Sequence, residues 1–144
     1  QDLQVKSKSF YADEKKGISV FKGNVNIIKG SDELNASKVT IFTDKQNQPT
    51  KFISEGSSSF KILTEEGARY QGVAHKVIYY PNKKEYHFFT DVHLIQIGEK
   101  KEIIGEEVIL KQVEGKAYAK SSKSEPVIMI FKIEEKEKKD SKNK

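Results

Sequence analysis

The feature that most restricts the fold is a two-residue alternation of apolar and polar side chains, in short segments punctuated by Gly, Pro, Asn and Asp. Successive side chains of an extended chain point to opposite faces, so this period builds half-buried strands rather than helices. Phe21, Gly23, Val25 and Ile27 fall on one face of such a strand, with Lys22, Asn24 and Asn26 on the other. Val39 with Ile41, Phe60 with Ile62, Val77 with Tyr79, Val92 with Leu94, and Val108 with Leu110 repeat the pattern. Turns are expected at 29–33, 44–49, 65–68, 81–85 and 98–102, where residues suited to tight turns cluster. The apolar material agrees with this reading, since Val and Ile number 25 against 11 for Leu and Ala, and β-branched side chains suit a pleated surface. The fold class is all-β.

A weak internal repeat runs through these strands. LNASKVTIF (34–42), QGVAHKVIYY (71–80) and IIGEEVILK (103–111) each place a small residue, Ala36, Ala74 or Gly105, three before a valine, Val39, Val77 or Val108. Each follows another strand, so the unit is two strands with a corner, recurring every 31 to 38 residues. Stacked units of this kind give a quasi-one-dimensional β-structure, and a small residue is needed where the backbone turns sharply or another strand passes close. At 144 residues, one β domain over 1–133 is expected, followed by EEKEKKDSKNK (134–144), which has no apolar residue and reads as a disordered charged tail.

Charge and motif content narrow the function classes. The net charge of +5 comes from 25 Lys and a single Arg, Arg69. Nucleic-acid readout favours the bidentate Arg fork, so no nucleic-acid partner is expected. With no cysteine there is neither a disulfide framework nor a thiolate site. No nucleophile elbow, zinc-protease helix or phosphate-binding glycine loop is present, and no cofactor or catalytic residue is assigned. Asp91 and His93 stand at strand i, i+2 spacing, but Val92 and Leu94 claim the apolar face and leave that pair facing water. Glu33-Leu-Asn35-Ala-Ser37 matches an extended bacterial glycosylation pattern, although it coincides with the repeat's own motif.

The segments FKGNVNIIKGSDELNASKV (21–39), ISEGSSSFKI (53–62), YQGVAHKVIYY (70–80), VHLIQ (92–96) and IIGEEV (103–108) resemble the LptA/OstA-like lipopolysaccharide-transport proteins. The opening LQVKSKSFYAD (3–13) is similar to that family's first strand and following turn. The resemblance implies a periplasmic, elongated and twisted open β-jellyroll, solenoid-like, with an apolar groove that binds the lipid A part of lipopolysaccharide. It also implies end-to-end strand contacts with related inner-membrane and outer-membrane β-jellyroll components, and head-to-tail self-association into a bridge.

The physical need such a carrier meets is large. Each exposed CH₂ costs about 0.8 kcal/mol in water, so a 14-carbon acyl chain carries roughly 10 kcal/mol. The inward faces of a folded sheet supply the lining, through Leu3, Val5, Phe21, Val25, Ile27, Val39, Ile41, Phe60, Ile62, Val77, Tyr79, Val92 and Leu94, continued by Val108 and Leu110. Their stiff side chains favour a trough that is held open. Lys22, Lys29 and Lys76 are candidates for a cationic rim, against the alternative of a solvated lysine face. Val127–Ile133 carries one charge in seven residues and reads as a terminal edge strand available to a neighbouring chain, with completion of the molecule's own sheet as the alternative. A structural or protein-interaction β-solenoid with a filled interior and no lipid ligand stays open as the alternative.

Overall fold

The computed structural model describes residues 2–121 and 125–133, so the charged stretch 134–144 lies outside the described residues. Among the described residues ten strands form: β1 (Leu3–Lys6), β2 (Ser9–Asp13), β3 (Ile18–Lys29), β4 (Asp32–Thr43), β5 (Pro49–Leu63), β6 (Arg69–Tyr80), β7 (Glu85–Ile97), β8 (Lys101–Lys111), β9 (Lys116–Lys120) and β10 (Ile128–Phe131). All belong to one antiparallel sheet. β3 to β8 follow one another as hairpin neighbours, β1 and β2 share the outer side of β3, and β9 and β10 share the outer side of β8. The five expected turns lie at the five connections between β3 and β8.

Each long strand bends in its middle, and the six corners line up into a spine that divides the sheet into two half-sheets. One carries β1, the halves of the long strands nearest the β3–β4 turn, and β10; the other carries β2, the remaining halves, and β9. Two kinds of corner alternate. In β4, β6 and β8 the buried positions step by three, from Ala36 to Val39, Ala74 to Val77 and Gly105 to Val108, with no positive φ. These are the small residues of the sequence repeat. In β5 and β7 the buried positions step by four, from Ser54 to Ser58 and from Phe88 to Val92. The extra residue in β3, β5 and β7 is absorbed as a bulge by a left-handed pair: Gly23 (φ 88°) and Asn24 (φ 45°), Gly56 (81°) and Ser57 (51°), Thr90 (69°) and Asp91 (52°).

This geometry corrects two sequence readings. Phe21 to Ile27 is not one uninterrupted strand face, because the Gly23–Asn24 corner puts Phe21 on one half-sheet and Val25 and Ile27 on the other. Residues 3–13 form two strands instead of a strand and a turn. The Lys8 N–H donates to the carbonyls of Lys22 (3.1 Å) and Gly23 (3.0 Å), so the first edge bends with β3. A Cβ on Gly23 would lie 2.8 Å from the Lys8 Cβ, which adds a packing reason for glycine there.

The half-sheets close over a single apolar core that includes Val25, Leu34, Val39, Phe52, Phe60, Tyr86, Phe88, Leu94, Val108 and Leu110. Gly72 shows how tightly the backbones approach, since a Cβ there would collide with the His93 carbonyl oxygen of the adjoining strand.

Candidate functional site

The inward surface runs from one sheet edge to the other. Val25, Ile27, Val39, Ile41, Phe60, Ile62, Val77, Tyr79, Val92 and Leu94 are each 6% exposed or less, Val5 and Phe21 are half-buried against them, and Leu3 is 37% exposed. Val108 and Leu110 are fully buried beside them. The structure therefore brings the sequence-derived lining residues to one interior, with Leu3 at its exposed edge, and adds Leu34, Phe52, Tyr70, Tyr86, Phe88 and Ile103. Phe52, Tyr86 and Phe88 keep the parity of the recognised residues of their strands, because a step of four preserves period two. Leu34, Tyr70 and Ile103 have the opposite parity to Val39, Val77 and Val108, because the three-residue corners shift the inward face by one.

The interior is filled in this conformation, in contrast to the expected open trough. The Phe60 and Phe88 rings stack at 4.2 Å, Tyr79 and Tyr86 lie at 4.3 Å, and Phe52 meets Tyr79 at 5.9 Å. Phe60 and Phe88 come from opposite half-sheets, while Phe52, Tyr79 and Tyr86 are cross-strand neighbours on one of them, and together the rings occupy the space that β-branched residues alone would leave. Apolar surface emerges at the two edges, through Leu3 and Phe10 (60% exposed) on one side and Met129 (43%) and Phe131 (61%) on the other.

Away from the spine, where the half-sheets meet at their free ends, a buried polar cluster joins them. The Asp32 carboxylate, at the start of β4, accepts from the Leu63 N–H (Oδ1, 3.0 Å), the Tyr86 hydroxyl (Oδ2, 2.6 Å) and the Gln112 Nε2 (Oδ2, 2.7 Å). Gln112 Nε2 also donates to the Leu63 carbonyl at 2.8 Å. Asp32 and Leu63 belong to one half-sheet, Tyr86 to the other, and Gln112 follows the far end of β8. Because both Gln112 partners are acceptors, its amide orientation is fixed, and its Oε1 has no partner among the described residues. Glu65 and Lys84 pair above this cluster at 3.0 Å. Burial, then the Asp32 charge and hydrogen bond, hold the Tyr86 phenol well above its ordinary value, so it stays a donor. Burial and the Asp32 charge push Tyr79 up to about 12.

At this mouth lies a small recess of about 20 Å³, lined by Leu3, Ile27, Lys29, Leu34, Phe52, Tyr79 and Tyr86 beside Asp32. Lys29 pairs with Leu3 in register and places its ammonium 5.4 Å from the centre of the Tyr79 ring, so this lysine is at the rim of the interior. Lys22 and Lys76 are not; they neighbour the inward Phe21 and Val77 and therefore stand on the outer face, in the row next to the corners. Asp91 and His93 face solvent as expected, but the Thr90–Asp91 corner separates them. Asp91 meets His75 at 3.4 Å and His93 meets Glu102 at 2.7 Å. Asn35 sits within β4 and accepts from Asn26 Nδ2 at 2.8 Å. Among the described residues no group of three His, Asp or Glu could hold a metal ion.

Both edges leave backbone groups for pairing. The Lys132 N–H donates to the Lys100 carbonyl, and hydrogen-bonded positions recur every second residue of an antiparallel ladder, so Ile128 and Ile130 also spend their N–H groups on β8. The N–H groups of Met129 and Phe131 therefore point away from the sheet.

No curated protein matches this chain. The crystal structure of LptH from Pseudomonas aeruginosa, described as the LptA-homologous periplasmic component of the lipopolysaccharide transport device, superposes with a TM-score of 0.81 over 92% of this chain and 96% of that one. At 18% identity that likeness concerns the fold. The sequence itself matches the family model of LptA and the LptD N-terminal domain, LPS transport proteins, over residues 4–116, a span that runs from β1 into β9 and contains every corner and the Asp32 cluster. This chain belongs to that family of lipopolysaccharide transport proteins.

Proposed function

We propose that the protein is a non-enzymatic carrier in the periplasm that holds the lipid A acyl chains of lipopolysaccharide along its apolar interior. The observation that carries this reading is the continuity of the inward face, which passes through every long strand and reaches the surface at both edges, at Leu3 and Phe10 and at Met129 and Phe131. A core serving stability alone gains nothing from apolar side chains left in water at both ends. The edges supply the joints: outward N–H groups on β10 meet β1 and β2 of another copy, or a related β-jellyroll of the inner or outer membrane, by main-chain pairing. Such a contact is heterologous and continues head to tail, making this chain one length of a bridge.

One observation favours a scaffold without ligand, namely the complete burial of Phe88, Val92, Leu94, Val108 and Leu110 in the present conformation. Crosslinking separates the two. A photoreactive residue at Phe21, Ile27, Phe60 or Tyr79 is expected to label lipopolysaccharide, and one at Lys22, Asn26 or Lys61 on the outer face is not. Equal labelling of the two sets overturns the carrier reading.

A further inference from the structure

Among the described residues, four buried polar atoms have no hydrogen-bond partner: the hydroxyls of Ser54, Ser58 and Tyr79 and the Oε1 of Gln112. Of these residues, Tyr79 alone lines the recess at the mouth. A buried hydroxyl without a partner is unfavourable, and folded proteins hold few of them. Phenylalanine would pack against Phe52 and Tyr86 in the same place without that penalty, so Tyr79 keeps an oxygen that the resting fold does not use.

The surroundings define what that oxygen fits. The recess is apolar on most sides, through Leu3, Ile27, Leu34 and Phe52, and has room for one atom group the size of a water. Tyr79 is a neutral phenol at physiological pH, its proton held by burial and the nearby Asp32 charge, so it offers a donor. Lys29 stands over the same ring and adds positive charge. Asp32, already engaged by three donors, places a fixed negative charge alongside, which disfavours a second anion such as a phosphate. A neutral acceptor oxygen attached to an apolar chain satisfies every one of these conditions.

We infer that the recess between Lys29 and Tyr79 is a subsite for the acyl carbonyl oxygen of the carried lipid, with the Tyr79 hydroxyl donating to it and the acyl chain continuing into the interior past Ile27 and Phe52. The inference rests on the carrier reading and deepens it, by naming where the polar junction of an acyl chain is held. Such a subsite sets the depth and register of each chain in the groove.

The test is Tyr79→Phe, which deletes the hydroxyl and leaves every hydrogen bond of the fold in place. Binding is measured by native mass spectrometry and competitive titration with lipid A, and with dodecyl maltoside, an alkyl glycoside that has no acyl carbonyl. The expected result has two opposite signs: the variant melts at or above the wild-type temperature, yet binds lipid A about 5- to 10-fold more weakly, with dodecyl maltoside unaffected. Lys29→Met is expected to weaken lipid A binding in the same direction by a smaller factor. If Tyr79→Phe binds lipid A as tightly as the wild type, the subsite is wrong, the hydroxyl serves a water only, and the carrier reading stands. If both ligands weaken equally, the ring rather than its oxygen matters and the subsite is again wrong. If the wild type binds neither ligand, the carrier reading itself fails.

Discussion

The two half-sheets are joined twice, and by different physics. Along the spine, six strands pass through from one half to the other, and the joint is the chain itself, bent by left-handed pairs in β3, β5 and β7 and by small residues in β4, β6 and β8. At the mouth no strand crosses, and the halves are held by side chains converging on Asp32. The spine fixes where the sheet folds; the mouth fixes how far it opens. A carrier needs the first to be permanent and the second to be reversible, because a filled interior admits a lipid only when the halves part.

The strongest way to break this comparison is Asp32→Ala. It leaves the Tyr86 hydroxyl, the Gln112 amide and the Leu63 N–H without their shared acceptor in a buried site. Hydrogen bonds to a charged group contribute about 1.5 to 3 kcal/mol each, and water admitted at the mouth recovers part of that, so a net loss of roughly 3 kcal/mol is expected in urea melts. Amide exchange should quicken at β4, β5 and β8 residues near the mouth while the spine stays protected. A melt superimposable on the wild type would mean that the mouth holds nothing.

The converse change strikes the spine. Ala74 is buried at the β6 corner and pairs with Ser58, whose side chain is also fully buried. Ala74→Leu forces three extra carbons into that corner, and overpacking of this kind costs about 1 to 3 kcal/mol. Because the spine is covalently continuous, the variant is expected to melt earlier with an unaltered pattern of opening at the mouth, measured by the same amide exchange.

These two joints also differ in how far they are legible in the sequence. The strands, the turns and the three-residue corners are local, and Ala36, Ala74 and Gly105 announce themselves by spacing alone. The bulged corners hide better, because only Gly23–Asn24 and Gly56–Ser57 carry a glycine, and Thr90–Asp91 adopts the same left-handed pair without one. Period two nevertheless runs on through them, since Tyr86 and Phe88 share the even parity of Val92 and Leu94; it breaks at the three-residue corners, which put Leu34, Tyr70 and Ile103 out of phase with Val39, Val77 and Val108. The Asp32 cluster cannot be read at all from spacing, since its partners lie 31, 54 and 80 residues away and nothing local marks Gln112 as buried. Lys22 and Lys76 stand on the outer face beside the inward Phe21 and Val77, whereas Lys29 shares the inward face with Ile27 at the strand end, so strand parity separates the rim lysine from the other two.

The smallest effect is expected where the mouth looks most obviously fastened. Glu65 and Lys84 form an ion pair at 3.0 Å across the half-sheets, and on a contact map they are the visible clasp. Both side chains are about half exposed, 51% and 49% respectively, so water and salt screen the attraction and two flexible side chains must be ordered to make it. Lys84→Met keeps the aliphatic stem and removes the charge; its expected cost is about 0.5 kcal/mol or less. Salt at 0.5 M should erase even that difference, while leaving the Asp32→Ala deficit intact, because the Asp32 bonds are buried. A large, salt-sensitive loss in Lys84→Met would move the closure of the mouth from the buried carboxylate to the surface pair.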